Sequence, residues 1–208
     1  MADLEIIGLA ESNFVWATRI AAGEKGVPHV NRPEPPHGET VSAIHPFGKV
    51  PVMRHGTVRL CESRAIVAYV DRAFDGPPIV PPDPAAAGLA EQWASLIVTT
   101  IEPVLVRRYL FAYLSPGTPD GSPNLEAVAA TLPDLARHLD AIDRGVAAGA
   151  IGGEAFALAD AWLYPILFYL KGLPESGAAL AARPRIADAL ERGLARPSVR
   201  ATMPVPTA

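Results

Sequence analysis

Between residues 76 and 84 the chain reads Gly-Pro-Pro-Ile-Val-Pro-Pro-Asp-Pro, holding five of its 22 prolines. No helix interior or central strand tolerates that density, because each proline lacks an amide hydrogen and locks its own φ. The run is expected to be an extended linker over 77–84, separating a domain at 1–76 from a second at 85–208. At its end Asp83 suits a helix N-cap and Pro84 the first helical position.

The two sides of this linker differ in period. Leu4 to Gly8 reads as a buried strand, and Asn13 to Lys25 sets Phe14, Ala17, Thr18 and Ala21 on one helical face. A short strand over His29 to Arg32 precedes the segment NRPEPPHGET, expected to lack regular structure. Val50 to His55 and Val58 to Cys61 flank a tight turn at His55-Gly56, a hairpin signal. Ser63 to Phe74 then repeats apolar residues at Ile66, Tyr69, Val70 and Ala73. Beyond the linker the strand pattern stops. Leu89, Trp93, Leu96, Ile97, Thr100, Ile101 and Val104 form one helical stripe, and Leu125, Val128, Leu132, Leu135, Leu139, Ile142 and Val146 another. Ala157 to Leu170 and Pro184 to Ala195 supply two more helices. The architecture expected is a βαβ-ββα domain followed by an all-helical one.

With half of its 208 residues apolar, the chain can bury a substantial core. A formal net charge of -4 offers no cationic footprint, so neither nucleic acid nor an anionic membrane is an expected partner. The longest uncharged apolar run, Ala161 to Leu170, is about half the roughly 20 residues that span a bilayer. The start MADLEIIGLA is acidic and enters a strand directly, unlike a secretory leader, and a cytoplasmic protein is expected. The single cysteine, Cys61, excludes an internal disulfide, a CxxC pair and a cysteine-based zinc site. Thiol chemistry would need a thiol from outside, and no metal is expected.

The segment HPFGKVPVMRHGTVRLCESRAI, from His45 to Ile66, concentrates the chemical signal. A proline after Val50 removes one ladder donor and permits a cis bond, which would turn Val50's backbone outward to pair with an extended peptide. A trans proline on an edge strand fits the same letters. Glu62-Ser63 stands where a strand meets a helix, so amide hydrogens and the positive helix end sit beside a hydroxyl, a place for a carboxylate. Plain capping fits there too. Together the two elements point to a small, anionic, peptide-like ligand.

In combination they resemble the glutathione S-transferases, HPFGKVP being similar to the glutathione-binding turn of that family and LCESRAI to its γ-glutamyl site. The linker, the FALAD start of a buried helix and the late LARPSV follow in family order. The resemblance implies an α/β thioredoxin-like N-terminal domain, an all-α helical bundle as the C-terminal domain, and glutathione as co-substrate. It implies that Val50 pairs with the cysteinyl backbone beside a cis Pro51. Glu62 and Ser63 would hold the γ-glutamyl end, and Lys49 and His37 the other end.

The catalytic position would lie in Ala10-Glu11-Ser12-Asn13-Phe14-Val15-Trp16. This looks like the serine-type, bacterial-like members, with Ser12 donating to the glutathione sulfur; Ser12 also fits a plain N-cap of the first helix, and Asn13 could cap equally well or donate instead. No tyrosine or cysteine lies there, which disfavours the tyrosine-type and mixed-disulfide classes. Arg108, Tyr109, Phe111 and Tyr113 would line the pocket of an apolar electrophile, although aromatic residues at a helix end also fit ordinary core. A homodimer using Phe47 is implied, and a detoxifying transferase is the leading expectation. A glutathione-binding carrier or protein-interaction module without turnover, and a glutathione-dependent isomerase, reductase or dehalogenase, stay open.

Four positions depart from the family pattern. His45 stands where Asn often precedes the turn proline, and Asn13 where Pro is frequent. Trp16 replaces a common Arg and is expected against the second domain. Ala157 replaces a capping Ser or Thr, leaving Asp160 to meet the helix's amino end.

Overall fold

The computed structural model describes residues 3–115 and 117–204. The chain divides into two compact units, one comprising the described residues of Met1–Pro82 and Leu194–Ala208, the other Asp83–Gly193.

The first unit follows β1 (Leu4–Ile7), α1 (Asn13–Glu24), β2 (His29–Arg32), α2 (Glu39–Ile44), β3 (Val52–His55), β4 (Val58–Cys61) and α3 (Ser63–Ala73). The four strands lie in the order β2-β1-β3-β4, with β1 and β2 parallel and the remaining pairs antiparallel. This is the thioredoxin-like arrangement. Leu4 and Ile6 of β1, Met53 of β3, Val15 and Ala22 of α1, and Ile66 and Val70 of α3 close into one core. A second cluster on the other face of the sheet joins Ile7, Val52 and Val41. That second cluster explains a departure from expectation. Only 33–38 of the expected loop is irregular, because Asn31 and Arg32 pair in β2 and the chain from Glu39 coils into α2 to bury Val41.

In the second unit α4 (Pro84–Leu96) opens as expected, with Asp83 accepting from the Ala86 amide at 2.9 Å and Pro84 in the first turn. The helix continues through π-helical turns at Ile97–Ile101 and Pro103–Leu110 into α5 (Phe111–Leu114). Ile97, Ile101, Leu105, Val106, Tyr109 and Leu110 are buried at spacings near four, while Leu89, Leu96 and Thr100 of the expected stripe are exposed. The second stripe lies on α6 (Leu125–Ala147), where Val128, Leu135, Leu139 and Ile142 are buried and Leu125 is exposed. Next come α7 (Asp160–Lys171), α8 (Pro174–Ala181) and α9 (Pro184–Ala195). Asp160 is fully buried and does more than meet its own helix. Its carboxylate accepts from the amides of Gly152 at 2.7 Å and Ala157 at 3.0 Å and from the Tyr164 hydroxyl at 3.2 Å.

The final helix, α10 (Pro197–Thr202), packs with the first unit rather than with the helical domain expected over 85–208. The cause is a set of polar ties to α1. Arg196 grips the Glu24 carboxylate with two nitrogens at 2.7 and 2.8 Å, Ser198 donates to the same carboxylate, and the Trp16 indole donates to Thr202 at 3.1 Å. Trp16 therefore packs against this returning segment of the first unit. The proline linker is likewise tied down. Asp71 accepts from the Ile79 and Val80 amides at 2.8 and 3.2 Å and pairs with buried Lys25 at 3.0 Å. No helix among the described residues is long and apolar enough to cross a membrane.

Candidate functional site

Helix α2 ends at Ile44, and the chain at once makes a turn in which the Gly48 amide donates to the His45 carbonyl at 3.0 Å. Gly48 sits at φ +62°, and a Cβ there would lie 2.2 Å from His37 Nδ1, so a larger residue would strain the backbone and displace the His37 side chain. His37, itself at φ 64°, donates its amide to the Gly48 carbonyl at 2.8 Å, which brings this exposed loop residue against the turn. Lys49 is exposed, and the Val50-Pro51 bond is cis. Val50 packs against both core clusters. A Cβ added to Gly8, just after β1, would meet Val50 Cβ at 3.0 Å and Val15 Cγ2 at 2.5 Å. The end of β1, the first turn of α1 and the Val50 turn therefore converge.

On the other side, β4 ends at Cys61 and α3 begins at Ser63. Glu62 between them adopts φ 69°, a left-handed conformation that costs a non-glycine residue about 1–3 kcal/mol and is characteristic of functional sites. Its carboxylate does not cap α3, yet Glu62 still serves the helix through its carbonyl, which accepts from the Ile66 amide at 3.0 Å. The carboxylate lies 3.3 Å from His45 Nε2. His45 is buried, and its Nδ1 accepts from the Phe47 amide at 3.0 Å. That acceptance makes Nδ1 the lone-pair nitrogen and puts the ring hydrogen on Nε2, facing Glu62. Ser63 is buried at the first position of α3, where the helix presents its positive end.

Ser12 is the N-cap of α1, half-buried, its hydroxyl oxygen accepting from the Val15 amide at 3.4 Å. An oxygen that accepts a capping bond keeps its O–H hydrogen as a donor. Asn13 follows as a buried first helical residue.

Of the four aromatic-region residues of the second unit, Tyr109 is buried, Tyr113 half-buried, and Arg108 and Phe111 exposed. Tyr109 is fully buried, its hydroxyl donating to Glu175 at 2.9 Å and accepting from the Ser176 amide at 3.1 Å. Tyr113 donates to the same carboxylate oxygen at 2.5 Å. Burial, reinforced by that carboxylate, pushes both phenols above their usual range, and the Tyr113 hydrogen bond helps hold Glu175 below its own. Arg108 is exposed and paired with Asp134 at 2.8 Å, and Phe111 carries the Arg107 guanidinium 4.9 Å above its ring. Tyr109 is a core residue of its unit, the ordinary-core alternative that the sequence left open. What the letters alone did not disclose is the His45-Glu62 contact and the strained Glu62 backbone. The available signal was a histidine in place of the usual turn asparagine.

A family model described as glutathione S-transferase, N-terminal domain, matches residues 6–78. A probable glutathione S-transferase of Solanum tuberosum is 34% identical over 102 residues, 47% of this chain and 46% of that protein. Glutathione S-transferase F10 of Arabidopsis thaliana is 31% identical over 134 residues, 62% of this chain and 61% of that one. The chain thus spans about half the length of the curated relatives it matches. A solved structure of glutathione S-transferase III in the apo form is 29% identical, superposes with a TM-score of 0.82 and covers 100% of both chains. Both curated relatives named are plant proteins, and the bacterial-like subtype expected from the sequence finds no support in them. Residues 6–78 thus match the N-terminal domain of the glutathione S-transferases, and the whole chain superposes on a solved glutathione S-transferase.

Proposed function

We propose that the protein is a glutathione transferase that activates the glutathione thiol and transfers it to an apolar electrophile. The observation that carries this reading is the packing of the Val50-Pro51 turn beside the start of α1 on one side and its link through His45 to Glu62 on the other. In this reading Val50 pairs with the cysteinyl backbone beside Pro51. The α3 amino end at Ser63 takes the γ-glutamyl carboxylate, and the Glu62 carboxylate takes the neighbouring ammonium. Lys49 and His37 face the glycyl end.

Ser12 is the group assigned to the sulfur, with Asn13 as the alternative donor. A free thiol of pKa about 8.5 is mostly protonated at neutral pH, and a hydroxyl donor beside a helix amino end favours the thiolate. Each unit of depression requires about 1.4 kcal/mol of differential stabilisation. Phe47, 71% exposed, is assigned to a homodimer contact, and the protein to the cytoplasm. The alternative reading is a glutathione binder without turnover, in which Ser12 serves α1 only as its cap.

Steady-state conjugation of an aryl halide separates the two readings. The Ser12→Ala variant is expected to retain glutathione affinity within about twofold while losing at least about tenfold in kcat/KM, the signature of a group acting on the reacting atom. Unchanged turnover removes Ser12 from the mechanism. A wild-type protein that binds glutathione but conjugates no electrophile supports the carrier.

A further inference from the structure

We propose that His45 is a positioning residue that fixes the Glu62 carboxylate for the amino group of the γ-glutamyl end, an inference that rests on the glutathione reading above. The His45 side chain is 4% exposed and the Glu62 side chain 72%, so a rigid buried ring holds a carboxylate that reaches into solvent. Both ring nitrogens are occupied, Nδ1 by the Phe47 amide at 3.0 Å and Nε2 by Glu62 at 3.3 Å. The ring therefore joins the turn that leads to Val50 with the backbone corner that starts α3. Its edge also meets Phe47, with ring centroids 6.2 Å apart.

The physical gain is pre-organisation. A glutamate side chain left loose in solvent gives up rotamer freedom when it closes on an ammonium ion. Glu62 is already committed, since its backbone is held at φ 69° and its carboxylate at His45. The 3.3 Å contact with Nε2 engages one carboxylate oxygen and leaves the rest of the carboxylate's acceptor capacity for a cation.

Two substitutions separate the two jobs of the ring. In His45→Asn the amide oxygen stands where Nδ1 stood and keeps the Phe47 bond, but the side chain is too short to reach Glu62. In His45→Gln the amide nitrogen reaches toward Glu62 and the turn acceptor is lost. Calorimetric titration with glutathione and with its desamino analogue, γ-glutaryl-cysteinyl-glycine, reads the amino-group contribution directly. Wild type is expected to prefer glutathione by about tenfold, the size of a charge-assisted contact. His45→Asn is expected to weaken glutathione by about fivefold and leave the analogue unchanged, collapsing the preference. His45→Gln is expected to retain the preference at a lower melting temperature, and decides the matter if His45→Asn does not fold. Equal weakening of both ligands in His45→Asn, unchanged affinity for both, or a collapsed preference in His45→Gln would overturn the role of His45. A wild-type protein that binds neither ligand would overturn the glutathione reading itself, and this inference with it.

Discussion

The corner from His45 to Ser63 and the cluster around Tyr109 both gather polar groups beside aromatic rings, yet they end in opposite arrangements. At the corner the buried member, His45, points its polar edge toward an exposed carboxylate, and the strained backbone of Glu62 is kept. Around Tyr109 the polar atoms turn inward and satisfy one another, with two phenols and an amide converging on Glu175 and the Tyr109 oxygen. The first arrangement leaves acceptor capacity facing solvent, whereas the second closes on itself. A cluster of similar composition is thus open to solvent in one unit and a core fastening in the other.

The largest effect that sharpens this contrast is expected at Asp160, the most closed of the polar groups. Asp160→Ala strands the amides of Gly152 and Ala157 and is expected to cost about 3 kcal/mol, read as a lower urea midpoint with unchanged slope. A change under about 1 kcal/mol would show that the fastening is dispensable. Tyr109→Phe comes next. It leaves the Ser176 amide without its acceptor and is expected to cost about 2 kcal/mol while leaving glutathione affinity in place. Loss of affinity with intact stability would return Tyr109 to the site and break the comparison.

A smaller effect is expected in acid. Burial alone would raise the Asp71 carboxyl, but the bonds from Ile79, Lys25 and Val80 outweigh it and hold it below its ordinary 3.8. Glu24 is likewise raised by burial and lowered further by Arg196 and Ser198, to below its ordinary 4.5. Over that range the unfolded chain binds more protons than the native one, so stability falls as pH falls. The contribution is full above the ordinary carboxylate range and disappears as pH drops through the lowered native values. Asp71→Asn is expected to flatten the acid limb of a stability-against-pH curve. An identical limb in the variant would place the acid sensitivity elsewhere.

Much of the fold was legible because local chemistry and tertiary role agree. The hairpin of β3 and β4, the Asp83-Pro84 helix start and the buried face of α6 follow from turn residues, capping and period alone. Other parts depend on partners distant in sequence. Helix α2 exists because Val41 finds Ile7 and Val52, and α10 returns because Arg196 and Ser198 find Glu24 across more than 170 residues. Tyr109 lies beyond the stripe, which ended at Val104, and its burial depends on the π-helical turns that no period in the letters disclosed. In the site, the letters indicated Val50-Pro51, Glu62-Ser63 and Ser12. The contact that joins the first two pairs runs through His45, whose ring reaches Glu62 only once β3 and β4 have folded between them.

Whether glutathione occupies the corner between Ser12, Val50 and Ser63 is decided by a crystal structure of the protein soaked with glutathione. The γ-glutamyl end is expected at Glu62 and Ser63, the peptide paired with Val50, and the sulfur within hydrogen-bond reach of Ser12. Glutathione bound elsewhere on the chain, or a saturated soak that leaves this corner empty, would contradict that placement.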